Sequence, residues 1–523
     1  MNQNISKSIM DWINLIFVQE FNIAGSPVIT QIYSIKFLTT FRLQIQQSFL
    51  PDLLNMLINI LQNNGDLTKT SIIICIDKIL SMKNTQTKES VAMAAVNNQN
   101  IFNQLVSNIG AILNSSFDAL AMRCFFRILN LTESTLYDSI SNNLGSTMNN
   151  ILIKIIQVQN EGEYNYYFFE TCALIMNKLN QININKTKEF ELALRNSFNT
   201  IMNDQGSDLK AYIIQIFALY INLSHDTSDY FRQIFGLLMN NNIWVISNKY
   251  LFNPFLSYIK TYISYNSQLL NTPEIQNSIK NIFYSLINMH CTNELFDLME
   301  YFVSICPTNN EYMMLVTNII NECVKKLNEF KKDNPKGCHE LGAKLILILS
   351  KIQFLTSVSI SKTIFEQLDN SFTLFKDSIQ YIDYIIESSD KKLILQAYMN
   401  ILVENPMFYA NTNNVLKTVI CKLMKIVPNL YKINFSFFGI NQEKDLIYNS
   451  NSFNRLRNAK ITFNINKYHE VLTTDENNYF FSMISKIDQQ LGKSILKIIL
   501  EESFKDKEKK NFINYAKQYN VAI

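Results

Sequence analysis

Apolar residues at Ile72, Cys75, Ile76, Ile79 and Leu80 follow the spacing i, i+3, i+4, i+7, i+8, which gathers side chains on one face of an α-helix. The pattern then returns. Ala121, Cys124, Phe125, Ile128 and Leu129 repeat it, followed by Phe169, Cys172, Ala173 and Met176, and by Ile213, Ile216, Phe217, Tyr220 and Ile221. Later copies are Phe255, Tyr258, Ile259, Tyr262 and Ile263, then Leu295, Leu298, Met299, Phe302 and Val303. Gly342, Leu345, Ile346 and Leu349 form the seventh, and Ile394, Ala397, Tyr398, Ile401 and Leu402 the eighth. Most gaps between copies hold one more apolar helix. Leu50, Leu53, Leu54, Leu57, Ile58 and Leu61 make one such stripe, with Ser48 as the expected N-cap and Pro51 tolerated in the first turn. An Asn63-Asn64-Gly65-Asp66 turn then leads into the Ile72 helix, with Asp66 as its expected cap. The unit is a helical hairpin.

Counted from their second members, the copies stand at 75, 124, 172, 216, 258, 298, 345 and 397. HEAT and armadillo units repeat every 40 to 47 residues or so, and two helices with their turns fill that length. The expected fold is all-α: an α-solenoid of HEAT/armadillo-type antiparallel helix pairs forming a curved superhelix. It runs as a single solenoid over residues 1–523, with a less regular insertion at about 429–452 and a C-terminal helical cap at 453–523.

Composition narrows the alternatives. Only 11 Gly and 8 Pro occur in 523 residues, too few for the turns of an all-β fold or for phosphate-cradling loops. With 47% hydrophobic residues there is ample material for a continuous core, and a solenoid grows by stacking instead of dividing into domains. The formal net charge of +3, with both signs mixed along the chain, gives no broad basic stripe for nucleic acid. Two local charge clusters stand out. Lys325, Lys326, Lys331, Lys332 and Lys336 form a small basic group, and Glu501–Lys510 alternates in sign as a solvated helix face does. No apolar run approaches the roughly 18 residues needed to cross a bilayer, and the first residues lack the basic and small-residue features of a secretory signal. The expectation is a soluble chain whose eight cysteines stay reduced, those at 75, 124 and 172 acting as small hydrophobes.

The residues offer little for catalysis. His290-Cys291 and Cys338-His339 place soft ligands side by side, but adjacent helical residues point about 100° apart and no C-x-x-C or H-E-x-x-H spacing is present. His225, His290, His339 and His469 sit in no nucleophile or acid/base motif. No phosphate-binding glycine motif or G-x-S-x-G occurs. The chain is therefore expected to be no enzyme, with no cofactor and no metal, and to work by holding other macromolecules.

Several segments resemble, in the same order, the C-terminal half of the cellular apoptosis susceptibility/chromosome segregation family, the importin-alpha re-exporters of the importin-beta (karyopherin) superfamily. Gln31-Ile-Tyr-Ser-Ile-Lys-Phe-Leu-Thr-Thr-Phe-Arg42 resembles the family's helix with an Ile-Lys-aromatic core and a closing Phe-Arg. Ala121-Met-Arg-Cys-Phe-Phe-Arg127 and Tyr164-Asn-Tyr-Tyr-Phe-Phe-Glu-Thr-Cys-Ala173 are similar to its next two repeat helices. Glu404-Asn-Pro406 is similar to a helix end, Phe453-Asn-Arg-Leu-Arg-Asn-Ala-Lys-Ile-Thr-Phe463 to a late helix, and Ile513–Ile523 to the final helix.

The resemblance implies an exportin that binds importin-alpha together with GTP-bound Ran and shuttles between nucleus and cytoplasm, with nuclear pore proteins as further candidate partners. Its mechanism would be wrapping without catalysis, because small rotations between neighbouring hairpins add up along a stack and a partner biases that curvature by differential affinity. The candidate contacts are Arg455, Arg457 and Lys460 in the late helix, facing an acidic surface. Two departures stand against the family pattern. The family is about twice this long, its N-terminal repeats carry the principal Ran surface, and a fragment, a split gene product and an incomplete gene model all fit. The family's acidic segment before the late helix is also missing, since 433–452 holds only Glu443, Lys444 and Asp445 as charged residues. A HEAT-repeat scaffold outside nuclear transport remains the rival reading.

Overall fold

The computed structural model describes residues 8, 11–13, 20–21, 26–429, 455–463 and 475–521. Within these spans it leaves out 64, 85, 88, 159–161, 205–206, 241–242, 245–248, 307–308, 334, 357–362, 365, 369–370, 386, 405–414, 493 and 520. Among the described residues there are 21 helices of eight residues or more and no strand; one isolated antiparallel bridge joins Lys83 and Ser90.

The chain divides into two compact units. The first comprises residues up to Gly236, Tyr250–Ser267 and Lys444–Ile461; the second comprises Leu237–Lys249, Gln268–Glu443 and Thr462–Ile523.

The first unit begins with α1 (Val28–Thr40), α2 (Leu50–Asn63), α3 (Asp66–Leu80), α4 (Gln99–Leu113) and α5 (Ala119–Leu131). It continues with α6 (Ser141–Gln157), α7 (Gly162–Ile182), α8 (Ile184–Asn203), α9 (Lys210–Ser224), α10 (Asp229–Leu238, whose last two residues fall in the second unit) and α11 (Phe252–Tyr265). Helices α2 and α3, α4 and α5, α6 and α7, and α8 and α9 pack as successive hairpins. One layer stacks in the order α1, α3, α5, α7, α9, α11; in the other, α2 packs on α4 and α6 on α8.

The second unit contains α12 (Pro273–Asn288), α13 (Thr292–Ile305), α14 (Asn310–Asp333), α15 (Pro335–Leu355), α16 (Ser371–Ser378) and α17 (Ser388–Glu404). It is completed by α18 (Val415–Ile426), α19 (Glu476–Leu491), α20 (Ile495–Ser503) and α21 (Asp506–Gln518). Its stripe layer runs α13, α15, α17, α19, backed by contacts of α12 with α14, α16 with α18, and α18 with α20.

All eight apolar stripes lie on stripe-layer helices, namely α3, α5, α7, α9 and α11 in the first unit and α13, α15 and α17 in the second. Their second members, from Cys75 to Ala397, are buried. A residue at this register touches both its own hairpin partner and the next repeat, which explains why the stripe recurs at hairpin spacing.

The boundaries differ from expectation in small ways. Ser48 lies in a 3-10 turn (Gln47–Phe49) ahead of α2, and α3 starts one residue earlier than expected, with Gly65 at its N-cap and Asp66 as its first residue. Pro51 sits in the first turn of α2, where its missing N–H has no intrahelical acceptor to lose. The expected insertion at about 429–452 lies outside the described residues from 430 on, as do Phe453 and Asn454. The late helix is a correction: residues 455–463 contain no helix, only a turn within an irregular segment. The C-terminal cap is helical from Glu476, and Ile513 belongs to α21, which ends at Gln518.

Candidate partner-binding site

Helix α7 buries every residue of its Tyr164–Met176 stretch, and Glu170 sits within it at 0% exposure. A carboxylate in such surroundings is costly unless polar groups meet it. They arrive from 287 residues downstream. Glu170 accepts hydrogen bonds from the backbone N–H of Arg457, from the backbone N–H of Asn458 at 3.1 Å and from the Asn458 side-chain amide at 2.8 Å. On the adjacent helix α9, Gln215 Oε1 accepts from the Leu456 N–H at 3.0 Å, while its Nε2 donates to the Ala211 carbonyl at 2.7 Å. Two helical turns beyond Glu170, and so on the same face, Asn177 Nδ2 donates to the Asn458 carbonyl at 2.7 Å.

The segment 455–461 is therefore a strap laid on the stripe layer of the first unit. Leu456 and Ala459 are buried beneath it, whereas Arg455, Arg457 and Lys460 are exposed. The Lys460 N–H returns to the Arg457 carbonyl at 3.2 Å and closes a turn between two of the three cations. Next to the anchor, burial and the Glu170 carboxylate push the Tyr166 phenol up, with the Arg457 charge acting in the opposite sense. The three basic residues read from the sequence are thus brought together at the surface, on a docked loop in place of a helix.

The anchoring residues are what the sequence reading missed. Glu170 carried a signal, being an acidic residue inside an apolar run and within one of the family-like motifs. Asn177, Gln215 and Asn458 carried none, because amides are common along this chain.

A second buried anion joins neighbouring repeats. Asp77 on α3, 2% exposed, meets Arg123 Nη2 at 2.9 Å and Arg127 Nε at 2.8 Å, both on α5. These are the two arginines of the Ala121–Arg127 motif.

The two charge clusters read from the sequence meet opposite charges, some within one helix and some between helices. Lys325 meets Glu322 at 2.7 Å, Lys326 meets Glu329 at 3.2 Å and Lys331 meets Asp377 at 3.4 Å, while Lys332 and Lys336 have no described side chains. Glu502 pairs with Lys417, and Glu508 lies 4.0 Å from Lys425. The adjacent His/Cys pairs point to separate neighbours: Cys338 Sγ lies 3.2 Å from the Tyr381 hydroxyl, and the His339 ring stacks on Tyr384 at 4.0 Å. His290 packs on Phe330 at 5.4 Å. No helix among the described residues is long and apolar enough to cross a membrane.

The family model for the C-terminus of the CAS/CSE protein matches residues 77–515, which takes in Glu170 and the strap. The importin alpha re-exporter of Saccharomyces cerevisiae is 22% identical over 291 residues, covering 54% of this chain and 29% of that protein. Exportin-2 of Danio rerio is 23% identical over 245 residues, 46% of this chain and 25% of its own length. A solved structure titled "The exportin Cse1 in its cargo-free, cytoplasmic state" aligns with a TM-score of 0.69 and 16% identity, over 97% of this chain and 51% of that one. It shares the α-solenoid fold, and the present chain spans about half its length.

Proposed function

Because this chain belongs to the CAS/CSE protein family, we propose that it is a nuclear transport receptor, or the C-terminal half of one, that binds importin-alpha together with GTP-bound Ran and carries importin-alpha from nucleus to cytoplasm. The observation that carries this reading is the family match across 77–515. It spans both motif segments that meet at Glu170 and Asn458. The receptor works by wrapping, with no chemical step. Neighbouring hairpins rotate slightly against each other, and Ran's nucleotide state selects a curvature by binding one better than another. Arg455, Arg457 and Lys460 face an acidic surface on one of the two partners.

The test is a pull-down of importin-alpha and GTP-locked Ran, run on this chain alone and again with the N-terminal half of a family member supplied separately. We expect importin-alpha to be retained in the presence of GTP-form Ran, in the second mixture at least. Retention only in that second mixture identifies a partial receptor. No retention in either mixture sinks the export reading and leaves a HEAT-repeat scaffold of another pathway.

A further inference from the structure

We infer that Glu170 is a positioning residue: from the stripe layer it clamps the strap in one register, so that Arg455, Arg457 and Lys460 form a preorganised basic surface for an acidic protein partner. This rests on the reading of those three residues as partner contacts.

The clamp holds the strap by its main chain. Glu170, Gln215 and Asn177 take the N–H groups of Leu456, Arg457 and Asn458 and the carbonyl of Asn458, so they grip main chain. Main-chain contacts alone would tolerate a slip along the sequence. Three side chains forbid it. Asn458 completes the clamp through its own amide to Glu170, and Leu456 and Ala459 fill buried positions. A slip of one residue would carry Arg457 or Lys460 into a buried place, where an unpaired cation is strongly disfavoured.

The register thus fixes which strap residues face the stack. Residues 455, 457 and 460 are exposed, 456 and 459 are buried, and 458 is half-buried. Glu170 is the hub of this arrangement, because both of its oxygens are engaged by strap donors. The dependence is mutual, since the strap supplies three donors that, together with the Tyr166 hydroxyl, make a carboxylate tolerable at 0% exposure.

The benefit to binding is preorganisation. An arginine or lysine on a free loop must be ordered when its partner arrives, and a fixed backbone removes that part of the cost. The partner that fits is defined by chemistry: three cations on one short, fixed segment, two of them joined by a closed turn, suit a surface patch of clustered carboxylates.

The experiment uses the full chain and a fluorescent poly-glutamate peptide as probe. Amide hydrogen exchange is followed at 456–458 and along α7, and peptide affinity is measured at low and moderate salt. In Glu170→Gln one acceptor oxygen becomes a donor facing N–H groups. We expect exchange at 456–458 to speed up, α7 to keep its protection, and affinity to fall about tenfold. The triple variant R455A/R457A/K460A should lose the salt-sensitive binding while the strap amides stay protected. Asn177→Ala, which removes only the donor to Asn458, is a milder second variant should Glu170→Gln unfold the helix, and it should show the same pattern in weaker form.

A loosened strap with unchanged peptide affinity, alongside a triple variant that does not bind, would overturn the positioning role and leave the contact reading intact. Unchanged exchange at 456–458 in Glu170→Gln would overturn the clamp itself. Full binding by the triple variant would remove the contact reading on which the inference rests. A fall in affinity that tracks loss of protection in α7 would show Glu170 to be merely structural.

Discussion

At the scale of single residues, two buried carboxylates mark where the two ends of an interaction lie far apart in sequence. Glu170 and Asp77 both sit at stripe-layer positions, and each is satisfied from another repeat or a distant strap. The cysteines show the opposite behaviour. Burial raises the Cys75 thiol to about 12 and lifts Cys124 and Cys172 well above the ordinary thiol range. Cys306 and Cys421, only partly buried, are also raised by burial, Cys306 to about 11. Since the thiolate is the reactive form, a raised thiol reacts less at a given pH and more as pH climbs. Alkylation of the native chain at pH 8 should therefore label Cys306 and Cys421 slowly and leave 75, 124 and 172 untouched until denaturant is added. Peptide mass spectrometry reads this directly, and early labelling at Cys124 would contradict the assigned burial.

At the scale of elements, helices were legible and the strap was not. Leu456 and Ala459 are three residues apart, as on a helix face, and local spacing cannot tell such a pair from two anchors of a docked loop. What decides is where the backbone groups find partners. Here they find Gln215, Glu170 and Asn177, which sequence proximity does not reveal. A different element contact explains Gly342, the smallest member of its stripe. A Cβ at that position would lie 2.5–2.6 Å from the Tyr381 ring, whose hydroxyl meets Cys338 on the same helix α15. Gly342→Ala should therefore destabilise this contact by roughly 1–3 kcal/mol, despite the better helix propensity of alanine. Thermal unfolding of the variant measures the outcome, and an unchanged or raised midpoint would show that Tyr381 moves aside freely.

At the scale of the whole molecule, each repeat is stabilised mainly by its neighbours, so damage should stay local. Asp77→Asn removes the charge that two partly buried arginines share between α3 and α5. Breaking such a pair costs about 3 kcal/mol. Hydrogen exchange should accelerate first in α3 and α5, then in α1 and α7, and least in α11 at the other end of the same layer. Uniform loss of protection across the first unit would mean that it unfolds as one cooperative body.

The sequence by itself determined the helical class, the hairpin period, and the set of side chains in the stripe layer, because amphipathic spacing and burial are local consequences of one helix meeting a neighbour. It also marked segments, among them Tyr164–Ala173 and Phe453–Phe463, that fall within the CAS/CSE family match. Only the tertiary structure decided that two of those segments touch, that 455–461 is a strap, and that Glu170 holds it. A hydrogen bond across 287 residues leaves no periodic trace in the chain, and its donors and acceptors become partners only once the stack has formed.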